Sequence, residues 1–211
     1  MFPIIISYYT KNTGYEDYAK TLIASCERWN LCHSITGIAN LGSWERNCCY
    51  KPKYIMQKLF KLKSPLLWVD ADAEIIKKPM LFQDFSPDIA LCIIENVPDD
   101  HPSKMISGTI YFNYTPIAFN ILEAWDHECE RLLKKHSDVW DQVALRNVLL
   151  QHKDKATIYP LPLDYYRIYD RQKKGEQSFI IHYQASRIEK KVINNELIPF
   201  WRNQERDIQI P

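Results

Sequence analysis

An α/β fold, a mostly parallel mixed sheet flanked by helices, is predicted by three observations. The stretch LLWVDADAEI, Leu66 to Ile75, opens with four apolar residues in a row, the pattern of a strand buried on both faces. Pro3 to Tyr8 and His33 to Ile38 read as strands on either side of a helical segment, an opening βαβ unit that implies a parallel pair with a right-handed crossover. Strand-like and helix-like segments then alternate to the last strand, with no repeat, low-complexity tract or linker, so residues 1–211 are expected to form one domain.

Each element has its own signal. After Tyr8-Tyr9-Thr10, the Thr13 to Glu16 spacing has the capping-box pattern. Tyr18, Leu22, Cys26 and Trp29 recur at helical spacing, which predicts a helix over Tyr15 to Trp29. Gly42-Ser43-Trp44 is expected to begin a loop. Lys51-Pro52 suits the start of a helix whose inner face is Ile55, Met56, Leu59 and Phe60, and Ser64-Pro65 ends it. The Asp-Ala-Asp strand follows, broken at Lys77-Lys78-Pro79. Asp88 to Ile94 reads as a buried strand, and Val97 to Pro102 as a turn-rich loop. Met105 to Tyr114 reads as a strand. Thr115-Pro116 then caps a long helix carrying Ile117, Ile121, Trp125, Cys129 and Leu132. Asp138 is expected to cap the next helix, with Val139, Val143, Ala144 and Val148 along its stripe. Thr157 to Leu161 and Phe179 to His182 complete the strands. Beyond Glu189 the chain is polar and basic, with Pro199-Phe200-Trp201 as a docking anchor.

The composition excludes several classes. The 211 residues are 46% hydrophobic and 25% charged, ordinary for a globular chain. A net charge of +1 from 27 basic and 26 acidic residues argues against a nucleic-acid surface. No run approaches the ~20 apolar residues of a membrane span. The opening MFPIIISYYT lacks a basic segment and a cleavage site, and reads as a first strand rather than a signal peptide, which favours a cytoplasmic setting. Cys26, Cys32, Cys48, Cys49, Cys92 and Cys129 lack zinc-site spacing and are expected to be reduced, buried thiols.

The chemistry begins at Asp70 and Asp72. They end a strand, at the sheet edge where open α/β folds bind ligands. On a regular pleat they would point to one side. Two such carboxylates repel one another unless a cation lies between them. A hard divalent metal fits that need, and a phosphate-bearing substrate is the usual reason for one. A carboxylate pair that simply caps a turn is the plainer reading.

Together, these segments resemble those of nucleotide-sugar glycosyltransferases of the GT-A fold, a single Rossmann-like domain. CCYKPKYIMQKLFKLKSPLLWVDADAEI is similar to the helix-then-strand approach to that fold's DXD motif. GTIYFNYTPIAFNILEAW followed by WDQVALRNVLL resembles the acceptor-side block of the glycogenin and lipooligosaccharide galactosyltransferase group, and FIIHYQASR the late strand that delivers a metal-binding histidine. The resemblance spans Ile4 to Arg187. It implies a transfer from a nucleoside-diphosphate sugar, a UDP-sugar before a GDP-sugar, to a glycan or other hydroxyl acceptor. It assigns Asp70, Asp72 and His182 to a divalent ion, manganese or magnesium. Tyr8, Tyr9 and Thr10 fall where such enzymes hold the base, and Ser186 and Arg187 where they contact phosphate, although the usual Gly and Lys-Pro-Trp pattern is missing there. Gln142 matches a glutamine under the sugar in the retaining group, with Asp141 beside it as a sugar-hydroxyl contact, or as the general base if the reaction inverts instead. Val143 stands where the family's Asp-Gln-Asp has its third member, so that match is incomplete.

Plainer readings stand beside these. His182 on an apolar strand could be a core histidine. Asp141 could serve only the helix dipole near Asp138. Tyr8 and Tyr9 alternate faces, so one belongs to the core. Arg46 and Lys51 flank the cysteine pair near the expected cleft mouth, as solvated charges or as donor contacts, and Asp99, Asp100 and His101 could touch an acceptor or simply form a turn. Three other functions compete, one of them a polymerase-β-like nucleotidyltransferase, which wants Gly-Ser about ten residues before its Asp-x-Asp, whereas Gly42-Ser43 lies too far upstream. A haloacid-dehalogenase-type phosphatase also uses a strand-end Asp-x-Asp, but normally near the amino terminus. A non-catalytic sugar-nucleotide or glycan-binding module could keep the fold without turnover.

Overall fold

The computed structural model describes residues 2–136, 138–171 and 177–194. β1 (Ile4–Thr10), α1 (Tyr15–Arg28) and β2 (His33–Ile38) form the opening unit, with β1 and β2 parallel. Two helices, α2 (Trp44–Cys49) and α3 (Lys51–Leu62), lead into β3 (Leu66–Val69) and β4 (Ala73–Ile75). β5 (Ile89–Ile93) and β6 (Met105–Phe112) pair antiparallel, followed by α4 (Pro116–Leu133) and α5 (Asp141–His152). β7 (Ile158–Leu161), β8 (Arg167–Ile168), β9 (Ile180–His182) and α6 (Ser186–Ile193) close the described chain.

The main sheet runs β2-β1-β3-β6-β5-β7, and a smaller one runs β4-β9-β8. β1 is parallel to β2 and β3, and β5 to β7; β6 is antiparallel to both its neighbours. The expected mixed α/β sheet flanked by helices is therefore present. Alternation along β3 divides the core into two layers. Leu66 and Trp68 face α3, α4 and α5, while Leu67 and Val69 face α1 and the small sheet. Burial on both faces explains the uninterrupted apolar run.

Several expectations are corrected. LLWVDADAEI is not one strand: the chain turns after Val69, Ala73 N donates to Asp70 O (3.1 Å), and β4 joins the second sheet. The loop expected at Gly42 becomes α2, because the Ser43 side chain accepts from Arg46 N as its N-cap. Asp138 caps nothing: α5 starts at Asp141 with Trp140 as N-cap, and Asp138 pairs with Lys190 (2.8 Å). The polar segment after Glu189 continues α6 to Ile193. Cys32 is exposed rather than buried, and all six thiols are free. Pro199, Phe200 and Trp201 lie outside the described residues.

Candidate active site

The carboxyl ends of β1 and β3 and the amino ends of α3, α5 and α6 surround a cleft of about 740 Å³. Asp70 continues the Trp68 face of β3, and its backbone N–H donates to Gly108 O (2.8 Å) on the neighbouring β6. Trp68 Nε1 donates to Asp70 Oδ1 (2.8 Å), which fixes the carboxylate at the cleft floor. After the turn, Asp72 lies on the small-sheet side. Its Oδ2 accepts from Ala185 N (2.7 Å) at the start of α6, and its carbonyl accepts from Tyr183 N (2.8 Å). β4 and β9 pair with Ala73 opposite His182, which brings the imidazole beside Asp72. Ligand atoms of Asp70, Asp72 and His182 all lie within 4.8 Å of one another, so these three could hold a metal ion.

Lys51 is the charge that sequence reasoning misplaced. It is 5% exposed, not a solvated surface group. A cation at the first position of α3 opposes the helix dipole. Two carboxylates compensate: Nζ lies 2.9 Å from Asp70 Oδ1 and 2.8 Å from Asp141 Oδ2, and also donates to Ser107 O (3.2 Å). Burial alone would lower the Lys51 pKa, but Asp141 and then Asp70 outweigh it and hold the ammonium charged. Asp141 is pushed up by burial and drawn back by Lys51. Asp72 rises to about 7, through burial first and the nearby Asp70 charge second. His182 falls to about 3, through burial and then Lys51, so the ring is neutral. Asp70 and Asp141 thus share one buried ammonium, while Asp72 has a neutral imidazole and the Ala185 backbone N–H beside it.

The other expected residues divide between cleft and scaffold. Tyr8, Tyr9, Thr10, Gln142, Ser186 and Arg187 all line the cleft. Tyr8, though, is largely core: its hydroxyl donates to Asn47 O (2.5 Å), and its ring packs against Tyr54 and Trp68. Gln142 braces a loop, since Oε1 accepts from Ser107 N (3.1 Å) and Nε2 donates to Pro102 O (2.8 Å). Arg187 pairs with Asp170. His182 lies beneath Tyr166, whose ring centroid is 4.4 Å away. Arg46 is exposed, as a solvated charge would be. Asp99, Asp100 and His101 form a surface turn: Asp99 pairs with Lys104, Arg146 donates to Asp100 O, and His101 Nδ1 accepts from Ser103 N.

The cleft also recruits residues that sequence reading missed. Trp44 and Tyr15 are joined by a 3.1 Å hydrogen bond, and Lys190 sits over the Trp44 ring. Arg167 and Arg171 also line it. The run DYYRIYDR, mixing arginine and tyrosine at short spacing, was the available hint for the arginines. Nothing marked Trp44, because a six-residue helix is too short to establish a period.

Among solved structures, that of a glycosyltransferase involved in the glycosylation of the major capsid of PBCV-1 is similar, with a TM-score of 0.66 over 93% of this chain and 100% of that one. The two share 14% sequence identity, so the likeness is one of fold. No family model matches the chain, and no curated protein matches it. Among the described residues, no helix is long and apolar enough to cross a membrane.

Proposed function

We propose that the chain is a metal-dependent glycosyltransferase using a nucleoside-diphosphate sugar, with a UDP-sugar as first candidate. The observation that carries this reading is the Asp70, Asp72 and His182 cluster on the floor of a cleft large enough for such a donor. The donor set fits a divalent ion: two carboxylates supply hard oxygens, and a neutral imidazole adds the nitrogen that favours manganese over magnesium. Burial first, and the neighbouring Asp70 charge second, raise the Asp72 pKa, and a bound cation would relieve that repulsion. When bound, the metal would neutralise charge developing on the leaving diphosphate.

The chain's own residues would supply the rest. Ser186 at the amino end of α6, together with Arg187, Arg171 and Lys190, offers donors to the phosphates. Tyr9, Thr10, Tyr15 and Trp44 form a wall for the base. Lys51 bridges Asp70 and Asp141 at the cleft floor, and Gln142 braces the adjoining loop at Pro102. Asp141 is bound to Lys51, so it is poorly placed as the free general base an inverting reaction needs. That favours retention, with the leaving diphosphate taking the acceptor's proton on the same face. A glycan hydroxyl is the acceptor class this chemistry requires.

Calorimetric titration with UDP-sugars, with and without Mn2+, followed by a donor-hydrolysis assay, tests the reading and separates an enzyme from a binding module. Asp72→Ala should abolish metal-dependent donor binding with the fold intact, and His182→Ala should weaken Mn2+ affinity less severely. Wild-type donor affinity in Asp72→Ala would refute the metal assignment.

A further inference from the structure

His182 is 1% exposed and confined on several sides. Tyr166 lies over the ring, and Gly108 passes so near that a Cβ there would stand 3.1 Å from Cε1. Nε2 lies 3.0 Å from Thr109 Oγ1, and Nδ1 faces Asp72 Oδ1 at 4.0 Å, beyond hydrogen-bond reach. A neutral imidazole carries one proton and one lone pair, and its hydrogen bonds decide which nitrogen has which.

We infer that Thr109 is a positioning residue for the cation site: its hydroxyl oxygen accepts the Nε2–H, which leaves the Nδ1 lone pair directed toward Asp72 and Asp70. This rests on the reading of Asp70, Asp72 and His182 as a cation site. The opposite tautomer would aim an N–H into the donor cluster, at a carboxylate too distant to accept it. The strand geometry supplies the contact. Thr109 stands opposite Val69 on β6, one residue before the Asp70 turn, and is itself fully buried. The strand beside the carboxylates therefore also orients the imidazole, a role for which a buried threonine hydroxyl has the reach and a valine does not.

The test compares wild type, Thr109→Val and Thr109→Ser in Mn2+ calorimetry without donor, alongside nitrogen-15 NMR of the metal-free His182 ring. The expected results are an Nε2–H tautomer in wild type, a 10- to 100-fold loss of Mn2+ affinity in Thr109→Val, and recovery to within about threefold in Thr109→Ser. Wild-type Mn2+ binding that Thr109→Val leaves unchanged would overturn the assignment, as would an Nδ1–H ring. If wild type binds no Mn2+, the cation-site reading fails instead, and the NMR tautomer still decides what Thr109 does. Should Thr109→Val not fold, the serine variant and the wild-type spectrum carry the test.

Discussion

Replacing Lys51 with methionine keeps much of the side chain's length and removes its charge. In the wild-type chain, ion pairs of 2.9 and 2.8 Å each correspond to about 6 kcal/mol of Coulomb attraction at an effective dielectric of 20, most of it offset by desolvation. What the substitution exposes is the cost of stranding a partner, about 3–5 kcal/mol for a buried pair. The Asp70 side chain is 35% exposed and regains water, so its share is small; Asp141, at 6%, bears most of the loss. The expectation is therefore the low end, about 3 kcal/mol, or a melting point lower by roughly 6–12 °C in a domain of this size. Urea denaturation without divalent metal would measure it for wild type, Lys51→Met, Asp141→Asn and the double variant. The double variant should be more stable than Lys51→Met alone, because the stranded carboxylate is gone. A Lys51→Met loss below about 1 kcal/mol, or no recovery in the double variant, would refute the buried-triad argument.

Three further outcomes follow from the same contacts. In the metal-free chain Asp72 keeps its proton to about pH 7, whereas an unfolded aspartate loses it near 4, so Asp72 lowers stability as pH rises through that window. His182, at about 3 when folded and about 6.5 when unfolded, raises stability with pH between those values and opposes it. Melting points of His182→Gln should therefore decline more steeply than wild type between pH 4 and 6.5; parallel profiles would contradict this. Gly108→Ala places a Cβ 2.3 Å from Tyr166 Cε2, which must displace Tyr166 and loosen His182, at about 1–3 kcal/mol and with weaker Mn2+ binding; unchanged melting and titration curves would refute the crowding. Asp88→Ala strips partners from Thr157 N–H, Thr157 Oγ1 and Thr115 Oγ1, and should cost about 2 kcal/mol in urea melts while leaving Mn2+ affinity alone.

The fold was largely legible because its signals are local. β2 and the start of α1 fall at the expected residues, although the N-cap of α1 is Gly14 rather than Thr13, and β3 announces itself by four apolar residues in a row. The site was less legible because its contacts are long-range. Lys51 looked like surface charge since nothing nearby in sequence neutralises it; Asp70 and Asp141 arrive from β3 and from α5. The turn at Asp70 to Asp72 was hidden by the apolar residues on both sides, which read as one strand although they belong to two sheets. Asp138 has the right chemistry for a cap, but the helix begins three residues later and Lys190 takes the carboxylate instead. Thr109 sits within a fully buried strand and carried no functional mark at all.

The change of sheet between Asp70 and Asp72 also bears on mechanics. Asp70 closes a strand of the large sheet, whereas Asp72 leads into β4, and His182 belongs to β9 beside it. Whatever joins those three side chains rivets one sheet to the other. Filling the site should consequently slow amide exchange along β4 and β9 as far as the Ile75–Ile180 pair, the end of that ladder away from His182.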